Sequence, residues 1–385
     1  MSLEKIIGLD VGTSSVKGAV IDVNGNIHAR FSQSYSTHRR GRHMVEQNPR
    51  DWIFLVEKAL QAFSEHKIIA IWLCSQVNTH VFVGKNNNNL HPAITWQDGR
   101  ATEQAKKLDC SVTCEQKEHW WGAPIPIDAS HALSRMAWMK QKNSYVWEKT
   151  KWVMLPKDYC ILKLTGVAAT DAISNTGLVR KHLQYIEDLF ELVPEAKRRM
   201  APLMGISDVV GSVSDGPLKG VPVISCTMDA WSGLLGAGGA KPNSTVYLSG
   251  TSEILGITSE NVTPTVGAIV FPKTEEITVH AAPTQNGGDA KLWFSQNFDI
   301  TMEQMTSIVG ETERSSATPL FLPQLDGERA PYWDSTLKGA FLGVSRRTQK
   351  EDFARAVYEG VAFSARQALE VAMSSSGVKS GKINC

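Results

Sequence analysis

Apolar and polar positions alternate along the first hundred residues in an order that predicts a series of elements. Residues 5–10 form a short apolar run read as a buried strand, residues 15–22 a second, and Asn24-Gly25 predicts a hairpin turn into a third at 26–35. Asn48-Pro49 has the form of a helix N-cap followed by proline at the first helical position. Trp52, Leu55, Val56, Ala59, Leu60 and Phe63 continue from it at helical spacing. A fresh apolar strand, Ile68 to Leu73, runs into the polar cluster Ser75-Gln76-Val77-Asn78-Thr79-His80. The predicted order is strand, strand, strand, helix, strand. Residues 81–84 and 90–95 read as two further strands joined by a hairpin tip at Asn86 to Asn89.

The same grammar returns in the second half. Ser244 to Leu248 is a predicted strand, Gly250-Thr251-Ser252 a turn, and Ile254 to Thr258 a returning strand. Apolar stretches follow at Ala268 to Phe271 and Ile277 to Ala281, then an amphipathic helix over about 352–374, and Lys382 to Cys385 reads as the start of a strand. Gly12-Thr13-Ser14 and Gly250-Thr251-Ser252 thus occupy equivalent turns. Each alone fits an ordinary glycine turn. Paired, they suggest a duplicated architecture with two phosphate-facing loops.

Composition narrows the partners. The chain has 385 residues, 42% hydrophobic and 21% charged, which excludes disorder and suggests two or three domains. Forty basic against 39 acidic side chains leave a net charge of +1, so neither nucleic acid nor an anionic membrane is the expected partner. The six cysteines lack the spacing of a disulfide scaffold or a zinc site, Cys110-x-x-x-Cys114 having no second pair. The N-terminal residues do not read as a signal peptide, and a cytoplasmic location is expected. A homodimer is compatible with the sequence, which does not set the oligomeric state.

Two stretches suit chemistry on a phosphorylated ligand. In Asp10-Val11-Gly12-Thr13-Ser14-Ser15-Val16-Lys17 a strand end delivers a carboxylate, and Gly12 lets backbone approach an anion. The amides and hydroxyls of Thr13 and Ser14 can donate to phosphate oxygens, Lys17 can serve as counter-charge, and Asp10 suits a hydrated Mg2+. In the second stretch the apolar run Val221 to Ile224 leads to Asp229, just before the small-residue helix expected over Ser232 to Ala240. Asp229 suits a general base toward a substrate hydroxyl, and equally a helix N-cap. Trp96 and Trp120-Trp121 could stack on a sugar or fill a core, and His80 lies beside the same polar cluster. Asp98-Gly99-Arg100 reads as a turn ordering that side of the site, or as an exposed ion pair.

The chain resembles the FGGY family of carbohydrate kinases, within the actin-like ATPases. The resemblance rests on Asp10-x-Gly-Thr-Ser-Ser-x-Lys17, Glu46-Gln-Asn-Pro-x-Asp-Trp52, Pro92-Ala-Ile-Thr-Trp-Gln-Asp-Gly-Arg100, Leu155-Pro-Lys-Asp-Tyr159, Ala169-Thr-Asp171, Asp229 and Gly250-Thr-Ser252. It continues through Gly327-Glu-Arg-x-Pro331 and Gly339-Ala-Phe-Leu-Gly-Val344. It implies an α/β fold of two actin-like (ribonuclease H-like) domains around a central cleft, 1–241 and 242–385, binding ATP and Mg2+. Position by position it implies Asp229 as catalytic base, Asp10 as the carboxylate near the metal, and Gly12, Thr13, Ser14 and Lys17 with Gly250, Thr251 and Ser252 at the ATP phosphates. The sugar site would draw on Gln76, Val77, Asn78, Trp96 and Trp231.

The implied reaction is phosphorylation of a hydroxyl on a ketose or polyol by a kinase similar to the xylulose kinase branch. Gluconate or another linear polyol stays open, because Val77-Asn78 stands where glycerol kinases have Arg-Glu and the loop differs from the usual xylulose kinase stretch. The family places an adenosine-binding loop after the helix matching 352–374. The chain ends at Cys385, so this reading expects a C-terminally truncated kinase whose second domain is incomplete and lacks that segment. The alternative is a truncated or non-catalytic actin-like protein that binds sugar without turnover.

Overall fold

A computed structural model describes residues 4–41, 43–180, 183–274, 277–334, 336–379 and 381–385. The chain divides into two units, one of Met1–Thr113 with Ile127–Ser232 and the other of Cys114–Pro126 with Gly233–Cys385.

In the first unit, strands β1 (Lys5–Val11), β2 (Ser15–Asp22) and β3 (Ile27–Ser34) form an antiparallel meander. The turn between β2 and β3 is the expected one: Gly25 has a φ of +85°, and the Gly25 amide donates to the Asp22 carbonyl at 2.9 Å. Helix α1 (Pro49–Ala62) follows, and the Asn48 side chain accepts from the Arg50 amide as an N-cap does. The helix returns the chain to β4 (Ile68–Ser75), which pairs parallel to β1. Helices α2 (Ala132–Lys142) and α3 (Pro156–Thr165) lie further along the unit, and strands β5 (Val209–Ser212) and β6 (Pro222–Ile224) complete its main sheet. The sheet order is β5-β6-β4-β1-β2-β3, with β6 also parallel to β4.

Alternation along β1 decides what each face carries. Ile7, Leu9 and Val11 are buried and pack with Trp52, Val56, Ala59 and Phe63 of the α1 segment. Gly8 and Asp10 take the opposite face. On β2, a Cβ at Gly18 would stand 2.7 Å from a Leu9 methyl and 3.2 Å from the Phe63 ring, so a glycine lets the helix lie close on the sheet.

The hairpin expected from 81–84 and 90–95 is only partly formed. Val81–Gly84 pairs with Thr150–Met154, and the later arm shortens to Ala93–Ile94, which pairs with Met44–Gln47. Pro92 has no amide hydrogen for a ladder, which confines the strand to the residues after it.

The second unit repeats the scheme. Helix α4 (Asp229–Leu234), whose residues up to Ser232 belong to the first unit, ends in a π-turn at Leu235–Gly239, where Gly238 has a φ of +92°. The longer helix expected over Ser232 to Ala240 is thus cut short, as a run of glycines favours. Strands β7 (Thr245–Ser249), β8 (Glu253–Ser259), β9 (Ile269–Val270) and β10 (Thr278–Pro283) form the antiparallel series. Helices α5 (Gly288–Asn297) and α6 (Met302–Glu311) precede the long α7 (Lys350–Ser376), which stops at the left-handed Gly377. Ile383–Asn384, β11, then pairs parallel to β7, giving the order β9-β10-β8-β7-β11.

Helix α7 buries Ala365, Ala368, Leu369 and Ala372 against Leu255 and Ile257 of β8. It stands to β7 and β11 as α1 stands to β1 and β4. Both units are actin-like, ribonuclease H-like α/β folds. Trp120 and Trp121, at 3% and 5% exposure, pack edge to face at 5.7 Å in the second unit, buried as core residues.

Candidate active site

The carboxyl ends of the parallel strands β1 and β4, and the segment after β6, carry the polar residues singled out from the sequence. Asp10 lies in register with Lys17 on β2 and Cys74 on β4, and the Cys74 thiol donates to its carboxylate at 3.8 Å. Burial raises the Asp10 pKa above the ordinary carboxylate value, against the Lys17 charge and the thiol. A groove of about 500 Å3 opens on this face, lined among others by Asp10, Lys17, Arg30, Cys74, Cys226 and Ser232.

The loop Gly12-Thr13-Ser14 turns tightly, its Gly12 amide donating to the Ser15 carbonyl at 3.0 Å. A Cβ at Gly12 would stand 3.4 Å from an Asp10 carboxylate oxygen, in the space beside that carboxylate. The Tyr35 hydroxyl donates to the Gly12 carbonyl, and the Gln47 amide donates to the Thr13 carbonyl at 2.7 Å. With their carbonyls held from behind, the loop's outward groups are the Ser14 side chain, which is exposed, and the Thr13 hydroxyl. The Trp96 indole donates to that hydroxyl at 3.1 Å, leaving its hydrogen free to donate.

Gln76, expected at a sugar, is 2% exposed: its amide nitrogen donates to Gln47 at 2.8 Å and its amide oxygen accepts from Thr79 at 3.1 Å. The residues that present a surface beside it are Val77, Asn78 and Trp96, each half-buried. Asn78 adopts a left-handed φ of 55°. Arg135, 0% exposed, donates to the carbonyls of Asn78, Ile94 and Thr95 and to the His80 ring. His80, at 5% exposure, is therefore committed to Arg135. Burial first, and then the Arg135 charge, hold its pKa well below the ordinary value. Asp98 and Arg100 form a buried rather than exposed pair, bidentate at 2.8 and 2.7 Å, with Glu46 on the same guanidinium at 2.8 Å.

Asp229 is the first residue of α4, and its carboxylate accepts from the adjacent Ala230 amide at 2.7 Å, one residue on rather than two or three as an N-cap does. A parallel bridge between Ser75 and Met228 fixes the preceding residue beside the end of β4. Burial, and then the charge of Asp10, push Asp229 up to about 7. Trp231, two residues on, is 2% exposed.

Behind these residues lies a cluster for which no sequence pattern points to a role. Lys157 meets Asp158 at 2.7 Å and Asp171 at 2.8 Å, all three buried. Tyr35, Gln47 and Arg135 are likewise additions from the structure. Gln47, Lys157, Asp158 and Asp171 do stand within motifs quoted above, but no chemistry attaches to them there.

In the second unit, Gly250-Thr251-Ser252 forms the corresponding turn between β7 and β8, its Gly250 amide donating to the Ser252 carbonyl at 3.0 Å. Its carbonyls accept from the start of α5: Gly287 and Asp289 amides reach Thr251 at 3.0 and 3.1 Å, and Gly288 reaches Gly250 at 2.8 Å. Gly250 and Thr251 are exposed. Gly287-Gly288, missed from the sequence, is the support that fixes this loop.

Among the described residues no group of three or more His, Cys, Asp or Glu side chains gathers as a metal cage. A lone carboxylate such as Asp10 is compatible with Mg2+, an ion that keeps its waters and takes one or two carboxylates beside phosphate oxygens.

Residues 5–236 match the N-terminal domain of the FGGY family of carbohydrate kinases, and residues 246–384 match the C-terminal domain. The chain belongs to the FGGY family of carbohydrate kinases. As a member it is a carbohydrate kinase, with ATP as the family's phosphate donor. It is 26% identical to the xylulose kinase of Lactococcus lactis subsp. lactis (strain IL1403), over 95% of this chain and 76% of that protein. It is 25% identical to the gluconokinase of Bacillus subtilis (strain 168), over 93% and 75%. Ligand-bound xylulose kinase from Lactobacillus acidophilus superposes with a TM-score of 0.85 at 25% identity, covering 95% of this chain and 78% of that one. Gluconate kinase from the same organism gives 0.85 at 25%, covering 97% and 78%. No helix among the described residues is long and apolar enough to cross a membrane.

Proposed function

We propose that this FGGY kinase transfers the γ-phosphoryl group of ATP to a hydroxyl of a short ketose or polyol, xylulose-like, with Asp229 as general base. The observation that carries the reading is the meeting of Asp10 and Asp229 at the carboxyl ends of parallel strands, where open α/β sheets bind ligands. Asp229 would take the hydroxyl proton as the oxygen attacks the phosphorus in line. The Gly12 to Ser14 loop, with Lys17, would receive phosphate oxygens, and Gly250 to Ser252 would supply a second set of amides and hydroxyls. Asp10 would hold Mg2+ through its waters, and the ion when bound supplies neutralising charge to the phosphates. Val77, Asn78 and Trp96 would face the sugar, with Gln76 fixing the loop from behind. Trp231 would support α4 from the core.

The names of the relatives put xylulose and gluconate at the head of a substrate panel. ATP consumption measured over ketoses, polyols and aldonates, with Asp229→Asn beside the parent protein, tests the reading. The expected result is one preferred sugar. Asp229→Asn should lose on the order of 10²–10⁴-fold in kcat while the calorimetric Kd for that sugar stays within a few-fold. Asp229→Asn turning over at close to the parent rate would overturn the base assignment.

A further inference from the structure

The segment that delivers Asp229 is built in a way that its own residues do not explain. Cys226 holds a left-handed φ of 52°, a conformation that non-glycine residues keep only when their surroundings impose it. One side of the segment is pinned by backbone: the Ser225 and Cys226 amides donate to the carbonyls of Asp208 and Ile206, both at 2.9 Å. The other side is pinned by the buried ionic cluster. The Lys157 ammonium donates to the Ser225 carbonyl at 3.3 Å, and the Thr227 hydroxyl donates to Asp171 at 3.0 Å. The Lys157 amide also donates to Ser75 at the end of β4, at 3.1 Å.

A lysine with two carboxylates in a dry interior is a weak source of stability, since desolvation cancels much of the attraction. Burial works against the charge of Lys157, yet Asp158 and Asp171 outweigh it and keep the ammonium protonated. What such a cluster does supply is direction. Its bonds tie the Ser225 carbonyl and the Thr227 hydroxyl to fixed buried charges, and these groups lie in the three residues that precede Met228 and Asp229.

We infer that Lys157 and Asp171 are positioning residues for phosphoryl transfer, setting the approach of Asp229 to the substrate hydroxyl through Ser225 and Thr227. The inference rests on Asp229 being the base. Neither group touches the substrate. A displacement of the base by a fraction of an ångström is enough to slow an in-line transfer while leaving ground-state binding intact.

The test uses Thr227→Val, which removes the hydroxyl that links segment to cluster at nearly constant volume, Thr227→Ser, which restores it, and Asp171→Asn. Steady-state kinetics with the preferred sugar, calorimetric sugar stoichiometry as the measure of folded protein, and thermal midpoints are read together. The expected result is a fall in kcat on the order of 10- to 100-fold for Thr227→Val at full sugar stoichiometry and near-parent sugar KM, with Thr227→Ser recovering most of it. If Thr227→Val, fully folded, turns over like the parent, the positioning role is overturned. It is overturned equally if Thr227→Ser is as slow as Thr227→Val, because the hydroxyl would then not be the link. Should Asp171→Asn fail to fold, the Thr227 pair decides alone. Asp229→Asn run in parallel separates the two readings: activity retained there removes the base assignment, whereas an inactive Asp229→Asn beside a fully active Thr227→Val removes only the positioning role.

Discussion

The Trp96 indole donates to the Thr13 hydroxyl at 3.1 Å, joining a residue proposed for the sugar to a loop proposed for the phosphates. The bond spans 83 positions in sequence, so neither partner hints at the other in the linear chain. Trp96→Phe keeps an aromatic ring and removes the donor. A hydrogen bond of this kind is worth about 1 kcal/mol, so roughly a five-fold rise in KM is expected for ATP as well as for the sugar. A rise for the sugar alone would show that the bond does not couple the two substrates.

The pH dependence follows from the state of Asp229. A base must be unprotonated to accept, and burial with the Asp10 charge places its midpoint at about 7. The kcat profile should therefore fall on the acid side of about pH 7, approaching tenfold per unit below it. A limb in the ordinary carboxylate range near pH 4 would overturn the raised midpoint of Asp229.

Gly288 is the tightest point under the second loop. A Cβ there would stand 2.5 Å from the Gly250 carbonyl oxygen, closer than any real contact allows. Gly288→Ala should push Gly250 to Ser252 outward, raise KM for ATP on the order of tenfold and lower stability by about 1–3 kcal/mol. Sugar affinity, measured by calorimetry without nucleotide, should not change.

His280 gives a stability prediction in the second unit. It is fully buried between Ser259 at 3.0 Å and Ser375 at 2.8 Å, and burial pulls its pKa down to about 4 from 6.5. The unfolded chain binds a proton more readily than the folded one, so this contribution is complete above about pH 6.5 and drains away as pH falls toward 4. At the lower end the loss is on the order of 3 kcal/mol. Thermal midpoints between pH 7.5 and 4.5 should fall, and His280→Gln, neutral throughout, should flatten that slope.

Much of the scaffold is legible because it depends on local signals. Asn48-Pro49 starts a helix, Asn24-Gly25 turns a hairpin, and the apolar spacing of 352–374 marks α7 to within two residues at each end. What escapes depends on distant partners. Val81–Gly84 reads as one arm of a hairpin across the Asn86 to Asn89 tip; the tip closes, with Leu90 donating to Phe82 at 2.8 Å, but the longer ladder partner is the distant Thr150–Met154. Gln76 reads as a ligand residue in a polar cluster, and only packing reveals that Gln47 and Thr79 occupy its amide. Lys157, Asp158 and Asp171 carry the composition of a solvated surface, and a sequence has no sign that tells an interior charge from an exposed one.

Arg135 bears on how binding and chemistry separate along the pH axis. A guanidinium stays protonated at every accessible pH, and the four acceptors it organises include the Asn78 carbonyl and a histidine kept neutral beside it. The scaffold of the Asn78 loop therefore has no titrating member in the neutral range. Sugar affinity should run flat from about pH 6 to 9 while turnover rises through about pH 7 and then levels, so that at mildly acidic pH the protein still holds its sugar but turns it over roughly tenfold more slowly for each unit of pH below the midpoint.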